Sequence, residues 1–253
     1  MAHNSSNRTA IAVRSVATLV ATASLSAAAQ ASVTATLTGY PAGLFENVGF
    51  SSALSWDSSA SVTLYSIRAM QHSFAEPSGN QWVSWCAEVY QGVSQGSTYE
   101  FNVVNAEDAP GGAVAPGPMG AMKATVVRDL FARWINAGNG MVHGSMADRD
   151  AKSAAFQIAL WEITHENFTA MTASGMVGQM SLGTGALRAS ISGATAAWYA
   201  EIVASLGAGG FQAASIEGLT SATAQDQIRL VPAPGAVALL AFAGLAGRCR
   251  RRR

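Results

Sequence analysis

The residue of this sequence best suited to chemistry is Cys86, in the run Trp85-Cys86-Ala87-Glu88. The chain has two cysteines, and the other, Cys249, lies inside the terminal Arg248-Cys-Arg-Arg-Arg-Arg253 cluster. In an exported chain, a thiol without an intramolecular partner is buried as an inert core residue, paired between molecules, or used for its reactivity. Other constellations do not converge. His72, His143 and His165 are scattered and read as solvated or capping residues; His165-Glu166 lacks the second histidine of a zinc-protease helix. Asp148-Arg-Asp150 is too short for a calcium loop and reads as a helix cap. No Gly-x-Ser-x-Gly elbow is present, and Ser145 is only a sequence neighbour of His143. Gly111-Gly112 and Gly207 to Gly210 lack the Lys-Ser/Thr of a phosphate loop. With no nucleophile-base pair to name, a secreted hydrolase is disfavoured and no cofactor is expected.

Both ends carry export chemistry. Residues 1–31 hold Arg8 and Arg14, then small and apolar residues from Ser15 to Ala29, then Ala29-Gln30-Ala31, the pattern of a secretory signal peptide with an A-x-A cleavage site. At the other end stand Val231-Pro232-Ala233-Pro234, an apolar run from Gly235 to Gly247, and the arginine cluster. Proline keeps the first part extended, the apolar part enters a bilayer, and the basic part stays cytoplasmic. At about thirteen residues, the run is shorter than the roughly 20 needed to span the hydrocarbon core, which suits a transient stop before processing. This arrangement resembles the PEP-CTERM sorting signal of Gram-negative bacteria, with Ala233 where that family has glutamate. The resemblance implies an exosortase-type processing enzyme as a partner, through Val231, Pro232 and Pro234. It also implies transient residence in the inner membrane and a final place on the cell surface or in the extracellular matrix.

With Arg8, Arg14, Arg248 and Arg250 to Arg253 set aside as targeting residues, 8 basic residues face 15 acidic ones. An acidic exported part repels phosphate backbones, so nucleic acid is not an expected partner. Residues 32–230 are enough for one well-packed core and short for two, giving one domain between the signal peptide (1–31) and the sorting segment (231–253).

Its elements read as strands first. Alternation and β-branched or aromatic residues predict strands at Ser32–Thr38, Asn47–Trp56, Ser61–Met70, Gln81–Tyr90 and Tyr99–Val104. In the fourth, Cys86 shares a face with Trp82, Ser84, Glu88 and Tyr90. After the Pro/Gly loop from Ala109 to Gly120, Val127, Leu130, Phe131, Trp134 and Ile135 form one helical stripe. A second helix runs from an aspartate cap to about His165 with Gln157 at the margin of its buried face. Met176–Gly185 reads as a loop, Leu187 to Leu206 as a third helix, and Ala213–Glu217 and Gln227–Val231 as closing strands. The order predicts an α+β fold, an antiparallel sheet or barrel with a helical insertion, plus a C-terminal sorting helix.

Trp85-Cys86-Ala87-Glu88 on a strand, together with Ala155-Phe-Gln157-Ile-Ala-Leu-Trp161 on a helix, resembles the paired motifs of Cys-Gln thioester domains of bacterial surface proteins. The resemblance implies an internal thioester between the Cys86 thiol and the Gln157 side-chain carbonyl, in an environment formed by Trp82, Trp85, Glu88 and Trp161, of which the three tryptophans are suited to shielding it. Such a bond needs a thiolate held against an amide carbon in a site dry enough to slow hydrolysis. Loss of ammonia leaves an activated acyl group open to attack by an amine. The implied function is covalent attachment of a surface protein to an amine-bearing target, a single-use crosslinker rather than a turnover enzyme. The alternative is a non-covalent structural or polysaccharide- or matrix-binding surface protein with the same fold and no reactive bond.

Overall fold

The computed structural model describes residues 31–112 and 116–231. Apart from Ala31 and Val231, the expected signal and sorting segments lie outside the described residues, as do Pro232 and Pro234. The chain begins with β1 (Ser32–Gly39), β2 (Gly43–Phe50), β3 (Tyr65–Ala75), β4 (Gln81–Cys86) and β5 (Thr98–Asn105). A helical insertion follows: α1 (Gly120–Trp134), α2 (Arg149–His165), α3 (Ala173–Gln179), the short strand β6 (Leu187–Ser190) and α4 (Gly193–Ser205). Strands β7 (Ile216–Thr220) and β8 (Gln227–Leu230) complete the α+β fold.

Every strand pairing is antiparallel. The order β1-β5-β7-β8-β4-β3 closes through a β1–β3 pairing into a six-stranded barrel. Closure removes the unpaired edges that an open sheet would present. Strand β3 is long enough to change partners: Ser73–Ala75 pair with β1, whereas Tyr65–Met70 pair with β2, which carries β6 on its outer side. Period-2 alternation fills the barrel. Val33, Ala35 and Leu37 from β1 meet Tyr99, Phe101 and Val103 from β5, with Phe74, Trp82 and Leu219 between them.

Helix α2 lies against this sheet. All its residues from Lys152 to His165 are buried, as befits a helix covered on every side. Phe156 packs beside Trp85 of β4, ring centroids 4.2 Å apart, and beside Phe131 of α1 at 5.2 Å. The last turn of α2 anchors the return to β6. Glu166 accepts the backbone N–H of Ala186 at 2.9 Å and Glu162 that of Ser181 at 2.8 Å. Glycine is required at Gly185, where φ is +86° and a Cβ would lie 1.9 Å from the Glu166 carboxylate.

Several boundaries differ from the sequence reading. The strand read as Gln81–Tyr90 ends at Cys86, so Glu88 and Tyr90 do not continue its alternation. Residues 173–179 form α3 rather than a loop, and the helix read from Leu187 begins only at Gly193, because Leu187–Ser190 pairs with β2. His72 and His165 are buried, not solvated, while His143 is exposed. Among the described residues no helix is long and apolar enough to cross a membrane.

Burial pushes the Glu162 carboxyl up to about 8, and the neighbouring Glu166 charge adds to the effect. The folded state therefore holds a proton on Glu162 that the unfolded chain releases near its ordinary value of 4.5, so stability falls as pH rises toward 8. Between pH 6.5 and 8 other groups titrate as well, the histidines of the unfolded chain near 6.5, Glu88 near 7 and Lys123 near 8, but the parent and Glu162→Gln share them, so the difference between the two proteins isolates Glu162. Across that interval the urea midpoint of the parent should fall, and that of Glu162→Gln should fall less; equal slopes would contradict the assignment.

Candidate functional site

Cys86 is the last residue of β4, where the strand leaves the barrel. Opposite it in β8 stands Gln227, and His72 of β3 stands opposite Ser84, two residues earlier on the same face as the cysteine. Above the apolar barrel interior, adjacent strands therefore place His72, Ser84, Cys86 and Gln227 in one polar layer. All four side chains are buried.

Gln157 reaches this layer from α2. Its Nε2 donates to the Cys86 carbonyl oxygen at 2.8 Å, and its Oε1 accepts the Cys86 backbone N–H at 2.9 Å. The carboxamide thus pairs with the end of β4 as a neighbouring strand would. Gln157 is 0% exposed and Cys86 1%, so it lies inside the core rather than at its margin. The helical stripe of sequence marked its apolar neighbours; the strand end that gives it two partners was not visible there.

The sulfur has other neighbours. Cys86 Sγ donates to Gln225 Oε1 at 3.0 Å and lies 3.5 Å from His72 Nδ1 and 3.6 Å from His72 Nε2. Two further amides are oriented by backbone carbonyls, Gln225 Nε2 donating to Glu88 O at 2.6 Å and Gln227 Nε2 to Gln225 O at 2.9 Å. With its nitrogen committed, Gln227 presents its oxygen to Ser84 Oγ at 2.9 Å and His72 Nδ1 at 3.2 Å. An oxygen accepts only, so His72 carries its proton on Nδ1 and leaves Nε2 with a lone pair.

The electrostatics keep this layer neutral. Burial drives the Cys86 thiol well above its ordinary value, and the Glu88 charge pushes the same way. Burial lowers His72 to about 4, aided by the Arg68 charge. At neutral pH the pair is a thiol and a neutral imidazole, not the thiolate and imidazolium of a cysteine hydrolase. Glu88 is pushed up to about 7 by burial while the backbone N–H groups of Tyr90 and Gln91 bond its carboxyl, and so it shapes the turn after Cys86.

The aromatic residues expected around Cys86 divide. Trp161 packs in the same cluster as Cys86. Trp85 points to the other side of β4, against Phe156. Trp82 belongs to the barrel interior, stacked 4.5 Å from Phe74 with its indole N–H on Glu76, so it gives the sulfur no cover. A cavity of about 170 Å³ adjoins the site, lined by His72, Gln225, Trp161, Tyr40 and Arg68 among others. The two residues nearest the sulfur therefore form part of its wall. Alternation in sequence places Ser84 on the Cys86 face, but His72 reads there as solvated or capping and Gln225 and Gln227 carry no role; the one local signal, the Gln225-Asp226-Gln227 triplet, has no meaning until β8 is placed beside β4.

Among the described residues no group of three or more His, Cys, Asp and Glu side chains is arranged to hold a metal ion. No family model, curated protein or solved structure matches this chain.

Removing the Gln157 side chain strands a buried N–H and a buried C=O of Cys86, each costing about 1–3 kcal/mol. In a Cys86→Ala background, where no bond to sulfur is possible, Gln157→Ala should still lower unfolding stability in urea by about 2–4 kcal/mol. A loss under about 0.5 kcal/mol would show that the carboxamide does not hold the strand end.

Proposed function

We propose that this protein is an exported surface or extracellular matrix protein that attaches covalently to amine-bearing targets through an internal Cys86–Gln157 thioester. The observation that carries the reading is the placement of the Gln157 carbonyl. Its oxygen accepts the backbone N–H of the residue that bears the thiol, and both side chains are buried. A donor on that oxygen stabilises the negative charge that develops there as sulfur adds to the carbonyl carbon. The amide nitrogen, which must depart as ammonia, is held on the other side by Cys86 O.

Gln225 is the competing acyl donor because its oxygen is nearest the sulfur. That oxygen, however, takes its hydrogen bond from the thiol itself, an interaction that ends when the thiol loses its proton. Gln225 therefore suits the role of holding the thiol, and Gln157 that of receiving it. The adjoining cavity reaches His72, Gln225 and Trp161 but not Cys86 or Gln157, so an amine entering it must displace one of those walls to reach the acyl group. Export, exosortase processing and an outer-surface destination rest on the signal-like and sorting-like segments of the sequence.

A second reading is favoured by the completeness of the Gln157 hydrogen bonding. Two backbone partners account for its burial without any covalent chemistry. On that reading the protein is a non-covalent structural or polysaccharide-binding surface protein.

Intact-mass measurement of the full chain separates the two. The parent is expected to weigh one ammonia less than its sequence, and methylamine should replace that deficit by addition. Cys86→Ala and Gln157→Ala should show neither change, while Gln225→Ala should keep both. A parent of full mass with an alkylatable Cys86 supports the non-covalent reading, and a deficit lost in Gln225→Ala but kept in Gln157→Ala assigns the wrong acyl partner here.

A further inference from the structure

We propose that His72 is the catalytic base of bond formation at Cys86, taking the thiol proton on Nε2 and returning it to the nitrogen that leaves Gln157. The assignment rests on the thioester reading and identifies the group that makes the reaction possible in a site that stabilises the unreactive thiol.

The need for a base follows from the surroundings of the sulfur. Burial holds Cys86 as a thiol, and the nucleophile is the thiolate. The proton must pass to a group already in contact. Gln225 Oε1 is a carboxamide oxygen, too weak a base to keep it. Glu88 takes the Tyr90 and Gln91 backbone N–H groups on Oε2, and although its Oε1 has no partner, neither oxygen is hydrogen-bonded to the sulfur. His72 remains, its ring within 3.6 Å of Sγ.

Its tautomer is set by a relay of fixed amides. Gln225 O receives Gln227 Nε2, which turns Gln227 Oε1 toward His72 and Ser84. That oxygen fixes the proton on Nδ1 and leaves Nε2 free. This is how a neighbouring hydrogen bond ordinarily selects the reactive nitrogen of an imidazole. Rotation of the S–H bond from Gln225 turns the proton toward Nε2, and the 3.6 Å separation must shorten as the proton crosses. The lowered basicity of His72 keeps the imidazole uncharged and able to accept.

The step balances. The S–H bond breaks and its proton passes to His72 Nε2 while Sγ bonds the side-chain carbonyl carbon of Gln157. The carbon–nitrogen bond then breaks as Nε2 returns the proton to the departing nitrogen, which leaves as ammonia. No electrons are exchanged with another group. When an amine later opens the thioester, the same nitrogen takes the amine proton and delivers it to the released sulfur.

The test uses the full chain with His72→Asn, which keeps a donor for Gln227 but has no basic nitrogen, and His72→Ala with and without added imidazole. The readouts are intact mass, the rate of methylamine addition, and circular dichroism to establish folding. The expected result is a folded His72→Asn protein that either retains its ammonia or adds methylamine roughly a hundredfold more slowly than the parent. Imidazole should restore the reaction in His72→Ala, which a purely structural role for the ring would not produce. A parent with the ammonia deficit and a His72→Asn variant with the same deficit and rate would overturn this assignment alone, as would a folded His72→Ala protein that imidazole does not help. A parent of full mass would overturn the thioester and this assignment together.

Discussion

The pairing of one side-chain amide with one backbone residue ties the two halves of this protein together. Strand β4 ends at Cys86 and has no further strand residue to satisfy its last N–H and C=O. Gln157 supplies both partners from the middle of α2. Since buried backbone groups left unpaired are costly, this contact fixes the depth and rotation of α2 against the barrel. The neighbouring packing follows: Phe156 falls between Trp85 and Phe131 on one side of the helix, and Ile158 and Trp161 join the cluster around Cys86 on the other.

A polar layer at the end of a barrel would ordinarily be a weakness, and here it is satisfied by three glutamines. In each, the nitrogen meets a backbone carbonyl and the oxygen is turned inward, toward the Cys86 N–H, the Cys86 thiol, or Ser84 and His72. Such a network fixes hydrogen positions as well as heavy atoms, the preorganisation that a proton transfer between thiol and imidazole requires. The same desolvation that keeps the thiol protonated shields an acyl–sulfur bond from water. On the proposed thioester reading, such a site is slow to start and slow to decay, properties suited to a bond used once.

Much of this architecture is legible in sequence, and the exceptions have physical reasons. Alternating β1 and β5 and the stripes of α1 and α2 can be read directly, because each buries one face or a continuous helix surface. The segment after Leu187 was misread since Leu187, Ile191, Ala194 and Trp198 satisfy a helical period equally well. The exposed edge of β2 decides the matter by recruiting Leu187–Ser190 as a strand. Cys86 and Gln157 were both identifiable from their local motifs. His72, Gln225 and Gln227 were not, because their meaning depends on the register of β3, β4 and β8, a long-range property that no window of sequence contains.

The account stands most directly on the atoms between Cys86 and Gln157. A crystal structure at a resolution that separates bonded from non-bonded neighbours would decide it. The account predicts continuous density from Cys86 Sγ to the Gln157 carbonyl carbon, no amide nitrogen at the Cys86 carbonyl, and the acyl oxygen still on the Cys86 N–H. An intact carboxamide still donating to the Cys86 carbonyl, with a free sulfur on Gln225, would contradict it.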